Sequence, residues 1–296
     1  VVVDQALRVF TVVAEKESFT RAAEELHMTQ PAVSQYVQSL EREMGTRLLA
    51  RTNKYVRLNK AGEVVYHHAR QIVDLYAKMH YLVDELTNQA AGELSIGASF
   101  TYGEYILPHV VAKLLHAFPQ IKPRITIGNT REIEELLLQH RLDVGIVEGG
   151  FKQDKLLIEP FSDDEMVVIA PGGHPLGNRE HIAMAELMTD TWIIRELGSG
   201  TREAADRMFA SFQCYPAKLM EFGSTQIIKE SVEAGLGLAL LSRWAVRKEV
   251  KLGSLQVLPV DGLPFVRKFS LVTVDTSFYS RSMEVFMQLV REHLPY

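Results

Sequence analysis

Apolar residues recur at helical spacing through about the first 86 positions, then give way to short β-like runs. That change of period divides the chain before any single motif is considered. Residues 19–40, FTRAAEELHMTQPAVSQYVQSL, read as two short amphipathic helices joined by a tight turn. Ala22, Ala23 and Leu26 form the apolar side of the first helix; Val33, Val37 and Leu40 form that of the second. His27 and Met28 make the turn. Thr29 stands where an N-cap belongs, and Pro31 falls in the first helical turn, where its missing N–H costs nothing. The second helix has a polar face of Gln30, Ser34, Gln35 and Gln38. Amides and hydroxyls, rather than long charges, suit base edges, because Gln bonds adenine bidentately and Ser either partner. Two readings fit: an ordinary helical hairpin with a polar outer face, or a helix-turn-helix whose second helix reads DNA.

Residues 48–62, LLARTNKYVRLNKAG, alternate apolar Tyr55, Val56 and Leu58 with basic positions, as a small hairpin or wing would. Between Glu41 and Lys60 stand six basic residues and two acidic ones, in a chain whose net charge is -5. A local basic cluster on an acidic protein is the footprint of phosphate contacts, although a solvated loop is the commoner origin of such a cluster taken alone.

From Ala61 to Leu86 the apolar or near-apolar positions are Ala61, Val65, His68, Ile72, Leu75, Met79, Leu82 and Leu86. Their alternating steps of 4 and 3 make a heptad seam of more than three heptads, without Pro and without Gly after Gly62. A helix of about 26 residues spans roughly 39 Å, and one wet apolar stripe along it calls for a partner. The same helix of a second copy is the simplest one. Ala90, Ala91 and Gly92 end this pattern. Beyond them strands are expected at 93–98, 123–127, 144–147, 166–170, 192–195, 218–221, 238–241 and 268–274. Helices are expected at 105–117, 131–140, 201–211, 225–234 and 280–293. Strands alternating with helices argue for parallel α/β sheets, here in two units.

The N-terminal stretch resembles the winged helix-turn-helix of the LysR-type transcriptional regulators. The resemblance rests on Phe10, Ala14, Ser18, Phe19, Ala22, Ala23, Leu26, Thr29, Gln30, Pro31, Ala32, Ser34, Leu40, Glu41, Gly45, Leu48, Arg51, Leu58, Ala61 and Gly62. Leu49, Lys54 and Asn59 depart from residues common in that family; Asn59 can still cap a helix, and Lys54 keeps the charge but loses bidentate phosphate geometry. The resemblance implies an N-terminal α winged helix-turn-helix at 1–60 and a linker helix at 61–89 that pairs two protomers, with tetramers usual. It further implies a C-terminal α/β effector domain at 92–296, built like the periplasmic binding proteins from two Rossmann-like lobes. Lobe I would be about 92–163 with 267–296, and lobe II about 164–266. DNA contacts are then expected from Thr29, Gln30, Pro31, Ala32, Ser34, Gln35 and Gln38 on the reading helix and from Arg51, Lys54 and Arg57 at the wing. The partners implied are an inverted-repeat duplex site, a second copy, a small effector and RNA polymerase.

In open α/β sheets, ligands bind beyond the carboxyl ends of the strands. Those ends carry Ser99-Phe100-Thr101, Asn129-Thr130, Glu148-Gly149-Gly150, Glu196 to Arg202, and Phe222 to Thr225. Four of the five offer hydroxyls and free N–H groups at helix starts, which cradle small anions. Each alone is an ordinary helix cap; together they predict an anionic effector held by Ser99, Phe100, Thr101, Asn129, Thr130, Gly149, Ser199, Gly200, Thr201 and Thr225. The run Gly198 to Arg202, GSGTR, is not a phosphate-binding P-loop, since GxxxxGK[ST] is absent. In the family, the positions matching Ser99, Thr101, Thr130, Ser199 and Thr201 commonly line the effector cleft. The run is most similar to members that govern sulfur, carbon-fixation and related anabolic genes, which implies inorganic oxyanions or small carboxylates.

Composition narrows the remainder. At 47% hydrophobic and 23% charged, the 296 residues are those of an ordinary globular protein, long enough for two or three domains. One cysteine, Cys214, excludes an internal disulfide framework and suits a reducing compartment. No apolar run approaches the roughly 20 residues of a membrane span, and no secretory signal is expected, so the location expected is cytoplasmic. HExxH, GxSxG, CxxC and GxGxxG are all absent, so neither an enzyme, a metal nor a cofactor is expected. Asp163, Asp164 and Glu165 read as a solvated turn. The alternative of another class is a solute-binding, transport-type protein that uses only the two-lobed half.

Overall fold

A computed structural model describes residues 2–51, 56–85, 90–149, 155–275 and 279–293, without the side chains of residues 2–4, 51, 78 and 80–85. Lys54, Gly150 and Leu86 lie outside the described residues, as do the side chains of Arg51 and Leu82. The chain forms two compact units, Val1–Thr87 and Asn88–Tyr296.

The first unit contains α1 (Val2–Lys16), α2 (Phe19–Glu25), α3 (Gln30–Glu43), β1 (Leu49–Arg51), β2 (Val56–Leu58) and α4 (Lys60–Glu85). Its core is Val9, Phe10 and Val13 of α1, Ala22 and Ala23 of α2, Val33, Val37 and Leu40 of α3, Leu48 and Leu49 at the hairpin, and Ala69 of α4. The buried residues of α2 and α3 are therefore those of the apolar stripes read from the sequence, except Leu26, which is the C-cap of α2 and half-buried. The Ser18 hydroxyl caps α2, whereas Thr29 sits at the N-cap of α3 without a side-chain bond. Glu41 Oε1 accepts from the amides of Leu48 at 3.0 Å and Leu49 at 3.3 Å, which ties the antiparallel β1–β2 hairpin to α3. Asn59 caps α4 through Gly62 N at 2.8 Å. Gly62 cannot be replaced cheaply, because a Cβ there would stand 2.0 Å from the Leu48 carbonyl oxygen.

The second unit contains β3 (Gly92–Ser99), α5 (Phe100–Tyr105), α6 (Leu107–Ala117), β4 (Ile121–Gly128), α7 (Thr130–Leu138), β5 (Val144–Glu148) and β6 (Leu156–Pro171). It continues with β7 (Thr191–Arg195), α8 (Gly200–Phe212), β8 (Lys218–Phe222), α9 (Thr225–Glu233), β9 (Ala239–Ser242), α10 (Arg243–Leu252), β10 (Leu255–Val257), β11 (Phe265–Val274) and α11 (Arg281–Glu292). The helix expected at 105–117 is two helices, broken at Ile106, because Pro108 in the first turn of α6 has no N–H to continue the ladder.

β4, β3 and β5 run parallel, and β11 and β6 follow antiparallel in the same sheet. The sheets are thus mixed rather than parallel throughout. The cause is that β6 and β11 pass between the two lobes. β6 pairs residues 156–166 with the whole length of β11, and gives Met166–Pro171 to β9 and β10 of the other lobe. Only 166–170 was legible as strand, because Pro160 and the acidic run interrupt the apolar pattern. The ladder accommodates Pro160 where its register shifts between Phe269 and Ser270. β7 and β8 pair with each other, and a single bridge from Trp192 to Leu238 joins them to β9. Separate cores lie in the first lobe, around Leu94, Ile96, Phe269 and Phe286, and in the second, around Val168, Trp192, Ile194 and Met208.

Asp163, Asp164 and Glu165 are not a solvated turn. They lie in β6 opposite Lys268, Arg267 and Val266 of β11. Asp163 and Glu165 face outward and pair with Lys268 and Arg243. Asp164 is completely buried. Alternation of side chains along a strand puts the middle residue on the opposite face from its neighbours.

Candidate functional site

On the first unit, α3 exposes Thr29, Gln30, Pro31, Gln35 and Gln38 and half-exposes Ala32 and Ser34. Gln30 Nε2 donates to Ser34 Oγ at 3.0 Å, which orders one polar pair on that face. An open groove lined by Gln38, Glu41, Arg42, Gly45, Thr46 and Arg47 lies at the C-terminal end of the same helix. Arg57 is exposed on the hairpin, opposite Ala50.

On the second unit, the ends of β3, β5 and β7 and the starts of α7 and α8 meet around a pocket of no more than about 160 Å³. Its walls are Ser99, Phe100, Thr101, Asn129, Thr130, Glu148, Arg195, Ser199, Gly200 and Thr201. Eight of the ten residues predicted from strand ends are among them. Of the other two, Gly149 packs toward Glu203, and Thr225 stands behind Arg195. The space is well below the roughly 300–1,000 Å³ of a drug-sized ligand site. Gly200 permits the closeness of the walls: a Cβ there would fall 2.3 Å from the Glu148 carbonyl oxygen.

The polarity of the hydroxyls can be worked out one by one, since each carries one donor and two acceptor positions. Arg267 donates from Nη2 to Thr101 Oγ1 at 3.1 Å and from Nη1 to Thr201 Oγ1 at 3.0 Å. Both threonines therefore keep their own hydrogen for a ligand. Ser199 Oγ accepts from Thr201 N at 3.2 Å and keeps its hydrogen likewise. Ser99 Oγ is buried and has no partner. Thr130 is different, because it donates to the Glu148 carbonyl oxygen at 2.9 Å. Asn129 is also engaged: its Oδ1 accepts from Glu132 N, and its Nδ2 donates to Glu196 Oε1 at 3.1 Å.

Two buried arginines, neither foreseen from sequence, stand around this pocket. Arg195 donates to both oxygens of Glu196, at 2.7 and 2.8 Å, and to Thr225 Oγ1 at 3.3 Å. Its guanidinium lies 4.4 Å from the centre of the Phe100 ring. Burial acts to raise the Glu196 carboxyl, but the bonds from Arg195 and Asn129 outweigh it and hold the group below its ordinary value. Arg267 donates from Nε to Asp164 Oδ2 at 2.7 Å, and Ser242 Oγ donates to Asp164 Oδ1 at 2.6 Å. Burial pushes the Asp164 carboxyl up, against the opposing pull of Arg267 and Ser242. A strand pattern carries no mark of such residues; only the β6–β11 register brings Arg267 opposite Asp164. Arg202 neither enters the pocket nor faces solvent freely, since it bonds Asp206, Glu221 and the Arg195 carbonyl oxygen.

Beside the pocket, Glu134 on α7 is buried, with Oε1 unpartnered. Burial, then repulsion from Glu203 on α8, push its carboxyl up to about 7, with Arg131 opposing. Cys214 is half-buried against the core of the second lobe. Among the described residues, no group of three His, Cys, Asp or Glu side chains could hold a metal, and no helix is long and apolar enough to cross a membrane.

Residues 5–63 match the bacterial regulatory helix-turn-helix of the lysR family, and residues 87–295 match the LysR substrate binding domain. The chain belongs to the LysR family: it is a DNA-binding transcriptional regulator with a C-terminal effector-binding domain. The helix-turn-helix excludes a transport protein made of the two-lobed part alone. The chain is 36% identical to the HTH-type transcriptional regulator CysL of Bacillus subtilis over 287 residues, 97% of this chain and 96% of the relative. It is 35% identical to the RuBisCO operon transcriptional regulator of Allochromatium vinosum over 266 residues, 90% of this chain and 88% of the relative. Among solved structures it is similar to the Synechocystis CcmR regulatory domain in complex with 2-PG, with a TM-score of 0.64, 26% identity, and coverage of 68% of this chain and 96% of that one.

Proposed function

We propose that this regulator senses a small anion in the pocket between its two lobes. The observation that carries the reading is hydrogen-bond polarity. Ser99, Thr101, Ser199 and Thr201 all retain a hydroxyl hydrogen in one small pocket backed by Arg195 and Arg267. The start of α8 turns its N-terminal end toward the same pocket, which favours negative charge there. CcmR, whose regulatory domain is known in complex with 2-PG, supports a small-molecule ligand for this fold. Residues 92–296 form the sensing domain in this reading, with lobe I about 92–163 and 267–296 and lobe II about 164–266. Anion binding favours one packing of the lobes and shifts the population of states toward it.

Residues 1–60 read DNA, with Thr29, Gln30, Pro31, Ala32, Ser34, Gln35 and Gln38 facing base edges and Arg51, Lys54 and Arg57 facing phosphates. Residues 61–89 link the two domains and pair two copies, to suit an inverted repeat. Along α4, Ile72, Leu75 and Met79 are 49%, 54% and 49% exposed, while Ala69 packs inward on the core. A half-wet heptad stripe of that kind fits a second copy, and tetramers follow from further contacts between sensing domains. The protein works in the cytoplasm, with RNA polymerase as a further partner, and catalyses no reaction. Because Ile72 and Leu75 are exposed in the single chain, Ile72→Asp with Leu75→Asp should leave the fold intact. Monomers are expected in sedimentation velocity, with weaker binding to a two-half-site duplex. A variant that still sediments as an oligomer would remove α4 as the pairing element.

The effector reading is tested by thermal shift at fixed ionic strength with sulfate, sulfite, thiosulfate, phosphate and small carboxylates. A ligand at about 100 times its Kd should add about 2.7 kcal/mol if it binds only the folded form. The rise should be selective for one class of anion. It should vanish in Ser199→Ala/Thr201→Ala, whose binding to bare DNA should be unchanged. Equal loss of DNA and anion binding would make these hydroxyls structural.

A further inference from the structure

We infer that the pocket is built for an oxyanion that still carries a proton, and that Glu148 is the residue that recognises that proton. The inference rests on the anion reading above and narrows it to a chemical class. Glu148 ends β5, lines the pocket, and has a side chain only 3% exposed. Its Oε1 is buried and accepts no hydrogen bond. The cation beside it, Arg267, has Nη2 at 3.6 Å, beyond bonding distance. That guanidinium is already shared among Asp164, Thr101 and Thr201. Thr130 bonds the backbone oxygen of Glu148 and not its carboxylate. The pocket therefore presents four hydroxyl donors and one unsatisfied carboxylate acceptor. The large majority of buried side-chain polar atoms in folded proteins have a partner, and this one lines a pocket, so the acceptor points to a donor that arrives with the ligand.

This arrangement discriminates among anions of similar size. Sulfate is fully ionised at neutral pH and has only acceptors, so one of its oxygens would face the Glu148 carboxylate lone pair to lone pair. Hydrogenphosphate, a phosphate monoester monoanion or hydrogen sulfite brings an O–H that Oε1 can accept. An O–H···O⁻ bond of that kind is short and about twice as strong as a neutral one. The four hydroxyls then serve the remaining oxygens. The charged groups that face Glu148 are Arg267 on β11, Asp164 on β6, Arg195 at the end of β7 and Glu203 on α8. Asp164 and Glu203 add two carboxylates near Glu148, and Glu203 Oε2 is likewise buried without a partner, which makes an additional unprotonated dianion still less welcome.

The test is titration calorimetry on the full chain with inorganic phosphate, glycerol phosphate, sulfite and sulfate at fixed ionic strength. At least one proton-bearing anion should bind about tenfold or more tightly than sulfate, about 1.4 kcal/mol for each factor of ten. In Glu148→Gln that ratio should collapse or invert, because the amide can offer sulfate an N–H. The wild-type protein supplies a second measurement that needs no variant. Its affinity for glycerol phosphate should fall as pH rises through the second ionisation of the ester, about 6 for phosphate esters, while its affinity for sulfate stays level. Sulfate binding as tightly as the others, or an unchanged ratio in Glu148→Gln with a flat pH profile, would overturn the inference. If sulfate binding persists and is lost in Ser199→Ala/Thr201→Ala, only the role of Glu148 falls. Heat from none of the four anions would remove both the inference and the oxyanion form of the effector reading.

Discussion

Replacing Arg267 with methionine is expected to destabilise the second unit by about 3–5 kcal/mol, the usual loss when one partner of a buried ion pair is removed. Methionine fills most of the volume but leaves Asp164, which is 0% exposed, facing no cation. It also leaves Thr101 and Thr201 without the donor that orients them. Ser242 still donates to Asp164 but carries no charge to offset it. The double change Arg267→Met/Asp164→Asn should recover much of the loss, because a buried pair exchanged for neutral groups is often close to neutral in energy. Urea unfolding followed by tryptophan fluorescence reads this unit alone, since both tryptophans, Trp192 and Trp244, belong to it. Burial already pushes the Asp164 carboxyl up in the intact protein. A carboxyl raised in the folded state favours folding at low pH and loses that contribution as pH rises. Without Arg267 the rise is larger, so the deficit should grow from acid to neutral pH. A loss below about 1 kcal/mol at neutral pH would mean that the arginine is not what stabilises Asp164.

Glu134→Gln is expected to stabilise the protein, and only on the alkaline side. The Glu134 carboxyl stands at about 7 against an ordinary value of 4.5. Its contribution to stability is fully present below about 4.5 and is lost as pH rises through about 7. Each unit of such a difference is worth about 1.4 kcal/mol. The gain from Gln should therefore be about 3 kcal/mol at about pH 8 and less than about 1 kcal/mol at about pH 5. The same fluorescence measurement at those two pH values checks it. An equal gain at both would show that the effect is packing rather than ionisation. Glu134 lies on α7 of one lobe and meets the repulsion of Glu203 on α8 of the other. The approach of the two lobes therefore carries part of this pH dependence.

Much of the first unit was legible because its signals are local. Helical period placed Val33, Val37 and Leu40 inward and left Gln35 and Gln38 outward, and the structure has them so. Asn59 was readable as a cap because capping needs only a side chain three residues from its amide. The strand ends of the second unit were also legible. Ser99, Asn129 and Ser199 each follow an apolar run and open a helix, a pattern contained within a few consecutive residues. Eight residues inferred in that way line one pocket.

The rest depended on pairings far apart along the chain. Arg267 bonds Asp164 across 103 positions and Thr101 across 166. Nothing in either neighbourhood foretells the partner, so Asp164 read as one of three solvated acids. The β6–β11 register turned it inward and left Asp163 and Glu165 outside. The first half of β6 was hidden for the same reason, since Pro160 and the charges suppress the local strand signal and β11 supplies the pairing that overrides it. The amino-acid sequence by itself determined the family, the reading helix, the heptad stripe and the hydroxyl-bearing strand ends, because each is written in short-range period and capping chemistry. Only the tertiary structure decided which of those hydroxyls still have a hydrogen to give, and that a buried carboxylate stands among them. Hydrogen-bond polarity is a property of partners, and the chain brings those partners together only when its distant strands align.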